Sequence, residues 1–460
     1  MRGRVSDEKR KNVLVIMTDQ QQADALGCVD PSYETPNLDE LARQGVRFAE
    51  AYCASGQCTP SRAALMAGQY PHELGVLQIG HVLPPSAETV GKVFERSGYQ
   101  TAYFGKWHLY ASLHDHGFQV TDYVTDGINH GAIDPSEDSR QAQDARATAQ
   151  LLNYLDRLDM SRPFMAVISW YAPHPPFRNI PPYSERLSEQ DMPIPESYAR
   201  DDLSTKPAWQ QARAAKGESQ LTEAIVRADA KAYRSQVAYA DWNVGRILEV
   251  LQRKGVADTT VVAFTADHGD MQGAHRLRLK GVVPYQELYR VPLIVFDPEA
   301  SNGRVSTQLV STVSLPATLV SCAGLQTPTA YSGPSLRPIL VNATAPWDDR
   351  VFIQHWRAYW GFHPFVGVVT PAWKFVTYLL DRGEEELYSR VDDPLELRNR
   401  AHDPQYAAVR SELLAVVREW WRATGGLAVT PICVKDRNWN TDISDQDWAT
   451  LMCALSGSEG

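Results

Sequence analysis

Short apolar runs alternate with stretches of helical period along the first three-quarters of the chain. The apolar runs cover residues 13–17, 101–104, 164–170, 260–265 and 292–296. None alternates strictly between apolar and polar residues, which suits strands covered on both faces. A helix is predicted over residues 233–254, where Val237, Val244, Ile247, Leu248 and Leu251 recur at helical spacing and Gly255 stands ready to end it. A second is predicted over residues 315–323, with Pro316 in its first turn and Gly324 beyond its end. Strand, helix, strand in this order predicts an α/β fold, a large mostly parallel sheet sandwiched by helices.

Two stretches break the alternation. Residues 179–219 are polar, proline-rich at their start and without clear period. They predict a long excursion over the active face, a natural place for substrate selection. From about residue 347 short aromatic runs (351–356 and 373–380) lead through Glu386-Leu387-Tyr388 and Asp392-Asp393-Pro394-Leu395-Glu396 to an amphipathic segment at 406–424. This texture predicts a smaller α+β subdomain with a short antiparallel sheet and a helix. The expected division is a catalytic domain over 10–345, the subdomain over 346–425, and a tail over 426–460. The tail is where contact with another copy of the chain, a homo-oligomer, would be sought.

Composition narrows the classes. The chain has 460 residues, 43% hydrophobic and 22% charged, a globular balance that sets aside disorder, collagen and coiled coil. Its formal net charge of −10 argues against nucleic acid or an anionic membrane as the main partner, while leaving room for a local cationic pocket. No run reaches the ~20 apolar residues of a membrane span. The basic start followed by the apolar run at 13–17 imitates a signal peptide, but the run is short and ends in Thr18-Asp19-Gln20, so it reads as a buried first strand behind a polar leader. Six cysteines (28, 53, 58, 322, 433 and 453) lack paired metal-type spacing and do not read as a disulfide framework. The expected location is cytoplasmic.

Four predicted strands end in residues able to do chemistry. The first delivers Asp19 and Gln20, the second Lys106 and His108, the third His174, and the fourth Asp267, His268 and Asp270. Taken singly, a strand-end Asp is commonly a cap and a loop histidine commonly a satisfied hydrogen-bonding group. Four such sets in phase are different, because open α/β sheets bind ligands at the carboxyl ends of their strands. Asp19 and Asp267, helped by Gln20 and His268, offer hard donors and one imidazole, a set suited to Ca²⁺, Mg²⁺ or Mn²⁺. Lys106, Lys280 and Arg62 would be an odd cluster of cations unless a tetrahedral oxyanion came between them. Cys58 precedes Pro60 and a short helical stretch ending at Gly68. That places it near a helix N-terminus, as a low-pKa nucleophile or, on local grounds the simpler reading, a small buried residue.

Cys58-Thr59-Pro60-Ser61-Arg62 resembles the sulfatase signature Cys-x-Pro-Ser-Arg. The rest of the family pattern follows in order over roughly residues 10–425. It includes residues 12–20, Thr35-Pro36-Asn37-Leu38-Asp39, Gly105-Lys106-Trp107-His108, Pro173-His174-Pro175-Pro176-Phe177 and residues 265–270. It continues with Gly273-Ala274-His275-Arg276, Lys280-Gly281 and Arg290-Val291-Pro292-Leu293. The resemblance implies an alkaline-phosphatase-like fold and a sulfuric ester hydrolase. It implies that a maturation enzyme oxidises Cys58 to formylglycine, whose hydrate attacks the sulfur of a small anionic sulfate ester. Asp19, Gln20, Asp267, His268 and residue 58 would hold one divalent metal, and Arg62 would hold residue 58. Lys106, His108, His174 and Lys280 would surround the sulfate, with His174 serving the leaving oxygen and His108 taking a proton from the second hydroxyl of the hydrate.

Two positions depart from the commoner sulfatase pattern, which has Asp and Asn where this chain has Gln20 and His268. That pairing resembles the branch containing choline sulfatases and phosphonate monoester hydrolases, and it leaves Ca²⁺ favoured with Mn²⁺ and Mg²⁺ as alternatives. The competing activity is therefore a phosphonate monoester or phosphodiester hydrolase with the same nucleophile; Lys106 and His108 lean toward sulfate. A non-catalytic scaffold of the same fold would be expected to have lost at least one of Asp19, Cys58, Arg62, Asp267 and Lys280, and all are present. Aryl, alkyl and sugar sulfates all remain open as substrates.

Overall fold

Asn12–Thr18 form β1, which lies inside an eight-stranded sheet between β5 (Phe164–Ser169) and β6 (Thr260–Ala266) and runs parallel to both. The other strands are β2 (Val46–Tyr52), β3 (Gln100–Lys106), β4 (Val120–Val124), β7 (Leu293–Phe296) and β8 (Arg304–Ser311), in the spatial order β4-β3-β5-β1-β6-β7-β2-β8. The structure is a computed structural model and describes residues 10–124, 139–159, 161–216, 221–300, 303–357, 363–379 and 384–426. The polar leader at 1–9 and all but the first residue of the expected tail lie outside the described residues.

The side chains of β1 explain why its sequence does not alternate in polarity. Val13, Val15 and Met17 enter a core completed by Ala63, Leu65 and Met66 of the helix Cys58–Ala67 and by Leu315 and Leu319 of the helix Leu315–Cys322. Leu14 and Ile16 enter the opposite core, against Leu151 and Leu155 of the helix Ser139–Arg157 and Val244, Ile247 and Leu251 of the helix Glu223–Arg253. Every position is buried, so the period-two signal of a half-exposed strand is absent.

Several elements differ from the expectation. The run at 292–296 is a strand, but β7 is antiparallel to both of its neighbours, β6 and β2. β2, β4 and β8 and the helices Pro36–Gln44 and Ser139–Arg157 were not anticipated. β2 mixes buried with half-buried residues and β8 buried with exposed ones, and neither carries an apolar run. The helix expected at 233–254 begins earlier, at Glu223, where the Thr222 hydroxyl accepts from Ile225 N at 3.3 Å; in its first two turns only Val226 and Ala230 are buried, too thin an apolar signal to mark the start.

The second sheet is antiparallel, in the order β12-β11-β10-β9, from β9 (Val351–His355), β10 (Phe365–Val369), β11 (Trp373–Tyr378) and β12 (Glu385–Ser389). The helix Ala407–Ala423 lays Leu413, Val417, Trp420 and Trp421 into a core shared with Val366, Val368, Phe375 and Leu387. The polar excursion is not a bare loop. It includes the short helices Glu196–Arg200 and Ala208–Lys216, and it is tied to the second sheet by buried groups. Lys206 Nζ donates to Tyr388 Oη at 3.0 Å and Gln210 Nε2 to Glu386 Oε1 at 2.8 Å. Its polar residues are partners for other buried polar residues, which period and hydropathy cannot reveal.

Candidate active site

β3, β5, β1 and β6 are consecutive neighbours and all parallel, so the four polar strand ends meet along one edge of the sheet. The close approach of β3 to β5 requires Gly105: its φ is +90°, and a Cβ there would stand 2.0 Å from Ser169 O. Gln20 and His108 also adopt positive φ, at 72° and 56°. Strained backbone of this kind survives where surrounding contacts over-determine it, commonly at functional sites.

Cys58 opens its helix, with Gln57 as N-cap and Gly68 closing the far end through a bond from its N–H to Ala64 O. The thiol is buried, as local sequence suggested, but its surroundings are not apolar. Lys280 Nζ lies 2.8 Å from Cys58 Sγ, His268 Nε2 3.2 Å, Asp19 Oδ1 3.9 Å and Lys106 Nζ 4.0 Å. Burial pushes the thiol pKa up, but Lys106, Lys280 and His268 and a hydrogen bond from His108 outweigh it and hold the group well below its ordinary range.

The carboxylates behind Cys58 are held by Arg62. Its Nε donates to Asp267 Oδ2 at 2.7 Å, its Nη1 to Lys106 O at 2.7 Å and Ser169 Oγ at 2.9 Å, and its Nη2 lies 3.4 Å from Asp19 Oδ2. Arg62 thereby ties the Cys58 helix to the ends of β1, β3, β5 and β6. Lys106 Nζ also contacts Asp19 Oδ2. Burial and the neighbouring Cys58 thiolate oppose ionisation of Asp19, yet Lys106, His174 and Lys280 keep its carboxyl far below the usual range. His174 is pushed down to about 4, by burial first and then by Lys280, so its ring is neutral at pH 7 in this arrangement.

All eleven residues singled out in the sequence, Asp270 included, converge here. One donor atom each from Asp19, Cys58, Asp267 and His268 lie within 4.8 Å of one another, all buried. Two carboxylates, an imidazole and residue 58 around one point fit a hard divalent cation better than a closed thiolate site. Gln20 adjoins this set: its Oε1 accepts from Lys280 Nζ at 2.9 Å, its Nε2 contacts Asp270, and its backbone N–H donates to Asp267 Oδ1 at 3.0 Å. Other supporting residues were not anticipated as functional. Thr59 Oγ1 donates to His108 O at 3.0 Å, Ser61 Oγ bonds Asp267 O, and Ser169 receives Arg62. Thr59 and Ser61 stood inside the signature, but nothing local in it says which backbone carbonyl each reaches.

The family model described as Sulfatase matches residues 11–325, well over half of the chain. The chain belongs to the sulfatase family. A second family model, N-sulphoglucosamine sulphohydrolase, C-terminal, matches residues 273–422 of this sulfatase. It is 31% identical to the uncharacterized sulfatase YidJ of Escherichia coli, over 88% of this chain and 86% of the relative. It is 28% identical to the choline-sulfatase of Rhizobium meliloti, over 88% and 85% respectively. Among solved structures, a 2-O GAG sulfatase superposes with a TM-score of 0.79 at 25% identity, covering 95% of this chain and 96% of that one. A phosphonate monoester hydrolase of Agrobacterium radiobacter superposes with a TM-score of 0.75 at 24% identity, over 89% and 96%, a likeness of fold. The alkaline-phosphatase-like architecture and the enzyme class implied by the signature are thus found. Among the described residues of this sulfatase, no helix is long and apolar enough to cross a membrane.

Proposed function

We propose that this chain hydrolyses a sulfate monoester at residue 58, with Cys58 oxidised to formylglycine and one divalent metal held by Asp19, Asp267, His268 and residue 58, with Gln20 beside them. One observation carries the reading: the thiol at a helix start has Lys280 and Lys106 at 2.8 and 4.0 Å, with two buried carboxylates and an imidazole close by. Cations and metal donors gathered around one nucleophilic position are what a tetrahedral oxyanion under attack requires. The hydrated aldehyde supplies one oxygen to attack sulfur and a second whose deprotonation expels the bound sulfate. The metal, Ca²⁺ by preference, supplies positive charge that lowers the pKa of the attacking oxygen and screens the approaching anion.

The chain's own residues do the rest. Lys106 and Lys280 bind sulfate oxygens, and Arg62 holds Asp267 and Asp19 in orientation. His174 serves the leaving oxygen, and His108 receives the proton of the second hydroxyl, its backbone carbonyl held by Thr59. Gln20 Oε1 accepts from Lys280 Nζ and so anchors that ammonium. A formylglycine-generating enzyme is the partner that this chemistry demands, and the reading takes the protein to act in the cytoplasm. We assign the catalytic unit to residues 10–345 and the accessory subdomain to 346–425, with any contact between copies sought in the tail after 426.

The second reading, a phosphonate monoester or phosphodiester hydrolase, draws on the Asp-Gln and Asp-His pairing and on the shared fold. Lys106 and His108 weigh against it. Side-by-side turnover of an aryl sulfate and a phenyl phosphonate by the matured enzyme tests the choice. Sulfate turnover is expected to dominate, and the reverse order would install the second reading.

A further inference from the structure

The helix Ser139–Arg157, unanticipated from sequence, presents three residues to the loop that carries His174, and they lie at i, i+4 and i+8. Residues so spaced share one face of a helix. Thr148 Oγ1 accepts from Trp170 Nε1 at 3.0 Å while donating to Asp144 O at 2.8 Å. Asp144 takes Tyr171 N on Oδ1 at 2.7 Å and Ala172 N on Oδ2 at 2.9 Å. Arg140 Nη1 lies 2.8 Å from His174 Nδ1. The helix and the loop therefore run past each other in opposite senses, with contacts at four of the five loop positions from 170 to 174.

These contacts do more than close a loop. A carboxylate that holds two successive amides on its two oxygens fixes the orientation of the peptide between them. Asp144 is buried and would otherwise cost the fold: burial raises its pKa, the N–H groups of Tyr171 and Ala172 pull against that rise, and the group stands at about 7. At the far end His174 Nδ1 faces Arg140 Nη1 and, at 2.6 Å, Pro175 O; it accepts from the guanidinium or donates to the carbonyl according to tautomer, and either way Nε2 is left as the ring atom available to substrate. Tyr171 packs its ring under Lys106 and Arg140, with cation-to-centroid distances of 4.9 and 5.5 Å, so the loop also shares a wall with a sulfate-binding lysine.

We propose that Arg140, Asp144 and Thr148 are a positioning stripe that sets where His174 stands beside the leaving oxygen of the substrate. The proposal rests on the reading of His174 given above. It makes the stripe matter most when the leaving alcohol is poor, because such an alcohol depends most on assistance at its oxygen. A helix that merely braced the loop would affect all substrates alike.

The test compares nitrophenyl sulfate, a good leaving group, with an alkyl sulfate, a poor one, in the matured enzyme. Asp144→Ala and Thr148→Val are each expected to lose about tenfold more kcat/KM on the alkyl ester than on the nitrophenyl ester. In a His174→Ala background the same changes should add no further bias, as in a double-mutant cycle. If His174→Ala is biased and the stripe variants are not, the stripe is refuted and the reading of His174 stands. If His174→Ala is itself unbiased, that reading falls and takes the stripe's role with it. Thermal melting accompanies each variant, and Thr148→Val decides the matter should Asp144→Ala fail to fold.

Discussion

Lys280 Nζ stands 2.8 Å from Cys58 Sγ although the two residues lie 222 positions apart, and the same ammonium reaches Gln20 Oε1 at 2.9 Å. One cation thus joins the loop after β6, the start of the Cys58 helix and the end of β1. It is also the closest charge to the nucleophilic position. Lys280→Ala is expected to lower kcat/KM on an aryl sulfate by at least about 100-fold, the scale at which one oxyanion-stabilising donor is felt. Lys280→Arg should recover only part of this, because a planar guanidinium cannot occupy the site of a compact ammonium. Steady-state kinetics of the two variants check both statements, and a Lys280→Ala enzyme within threefold of wild type would contradict the assignment.

Cys58→Ala should abolish turnover without unfolding the protein. Mass spectrometry of the peptide spanning Cys58, taken from a host with a maturation enzyme, should show an aldehyde or its hydrate in place of the thiol. Full activity from an unmodified thiol would sink the proposed mechanism.

Metal binding can be read without activity. Asp19, Asp267 and His268 lie within bonding reach of one point, so chelation should lower the melting temperature and added Ca²⁺ should restore it. At a concentration about 100 times Kd the stabilisation is roughly 2.7 kcal/mol. Asp267→Asn should largely remove the Ca²⁺-dependent shift. A shift of wild-type size in that variant would place the cation elsewhere.

Arg62 is buried and touches Asp267 and Asp19. Removing it as Arg62→Ala leaves two buried carboxylates without their cation, a loss of roughly 3–5 kcal/mol for breaking a buried pair. Chemical denaturation in the presence of chelator should show that loss in full. Saturating Ca²⁺ should recover part of it by neutralising the same oxygens.

His72 supplies a pH dependence far from the catalytic groups. Burial holds its pKa down to about 3, although hydrogen bonds with Gln354 and Thr424 pull upward. The amide of Gln354 donates to Nδ1 at 2.9 Å and Nε2 meets Thr424 Oγ1 at 2.9 Å, which suits the neutral ring and joins the short helix Pro71–Leu74 to β9 and to the end of the helix Ala407–Ala423. A depressed folded pKa means that the unfolded chain binds the proton more readily. The His72 contribution is therefore complete above about pH 6.5 and declines as pH falls toward 3, by up to about 1.4 kcal/mol per pH unit. Denaturation of wild type and His72→Gln between pH 7 and pH 4 should show a shallower slope for the variant; equal slopes would exclude His72 as the cause.

Much of the site was legible before any coordinates because its residues close apolar runs. Asp19, Lys106, His174 and Asp267 each end or follow a strand that is recognisable from its own residues, and the shared direction of those strands puts them on one edge. Cys58 was identified by its signature, but its local sequence describes only a small residue at a helix start. The helix Ser139–Arg157 gave no comparable sign, because Asp144 and Thr148 are polar residues whose partners lie in a loop beyond the next strand.

What the sequence determined by itself was local: buried strands, helix ends, the order of the chemical residues, and through its signature the family. Only the tertiary structure decided that β7 runs against its neighbours, that the polar stretch at 179–216 is anchored to the second sheet, and which charges face Cys58. The reason is physical. Hydrophobic period is a property of neighbouring residues, so it survives in a linear reading. Hydrogen bonds, ion pairs and the electrostatics of a buried thiol join residues that become neighbours only when the chain folds.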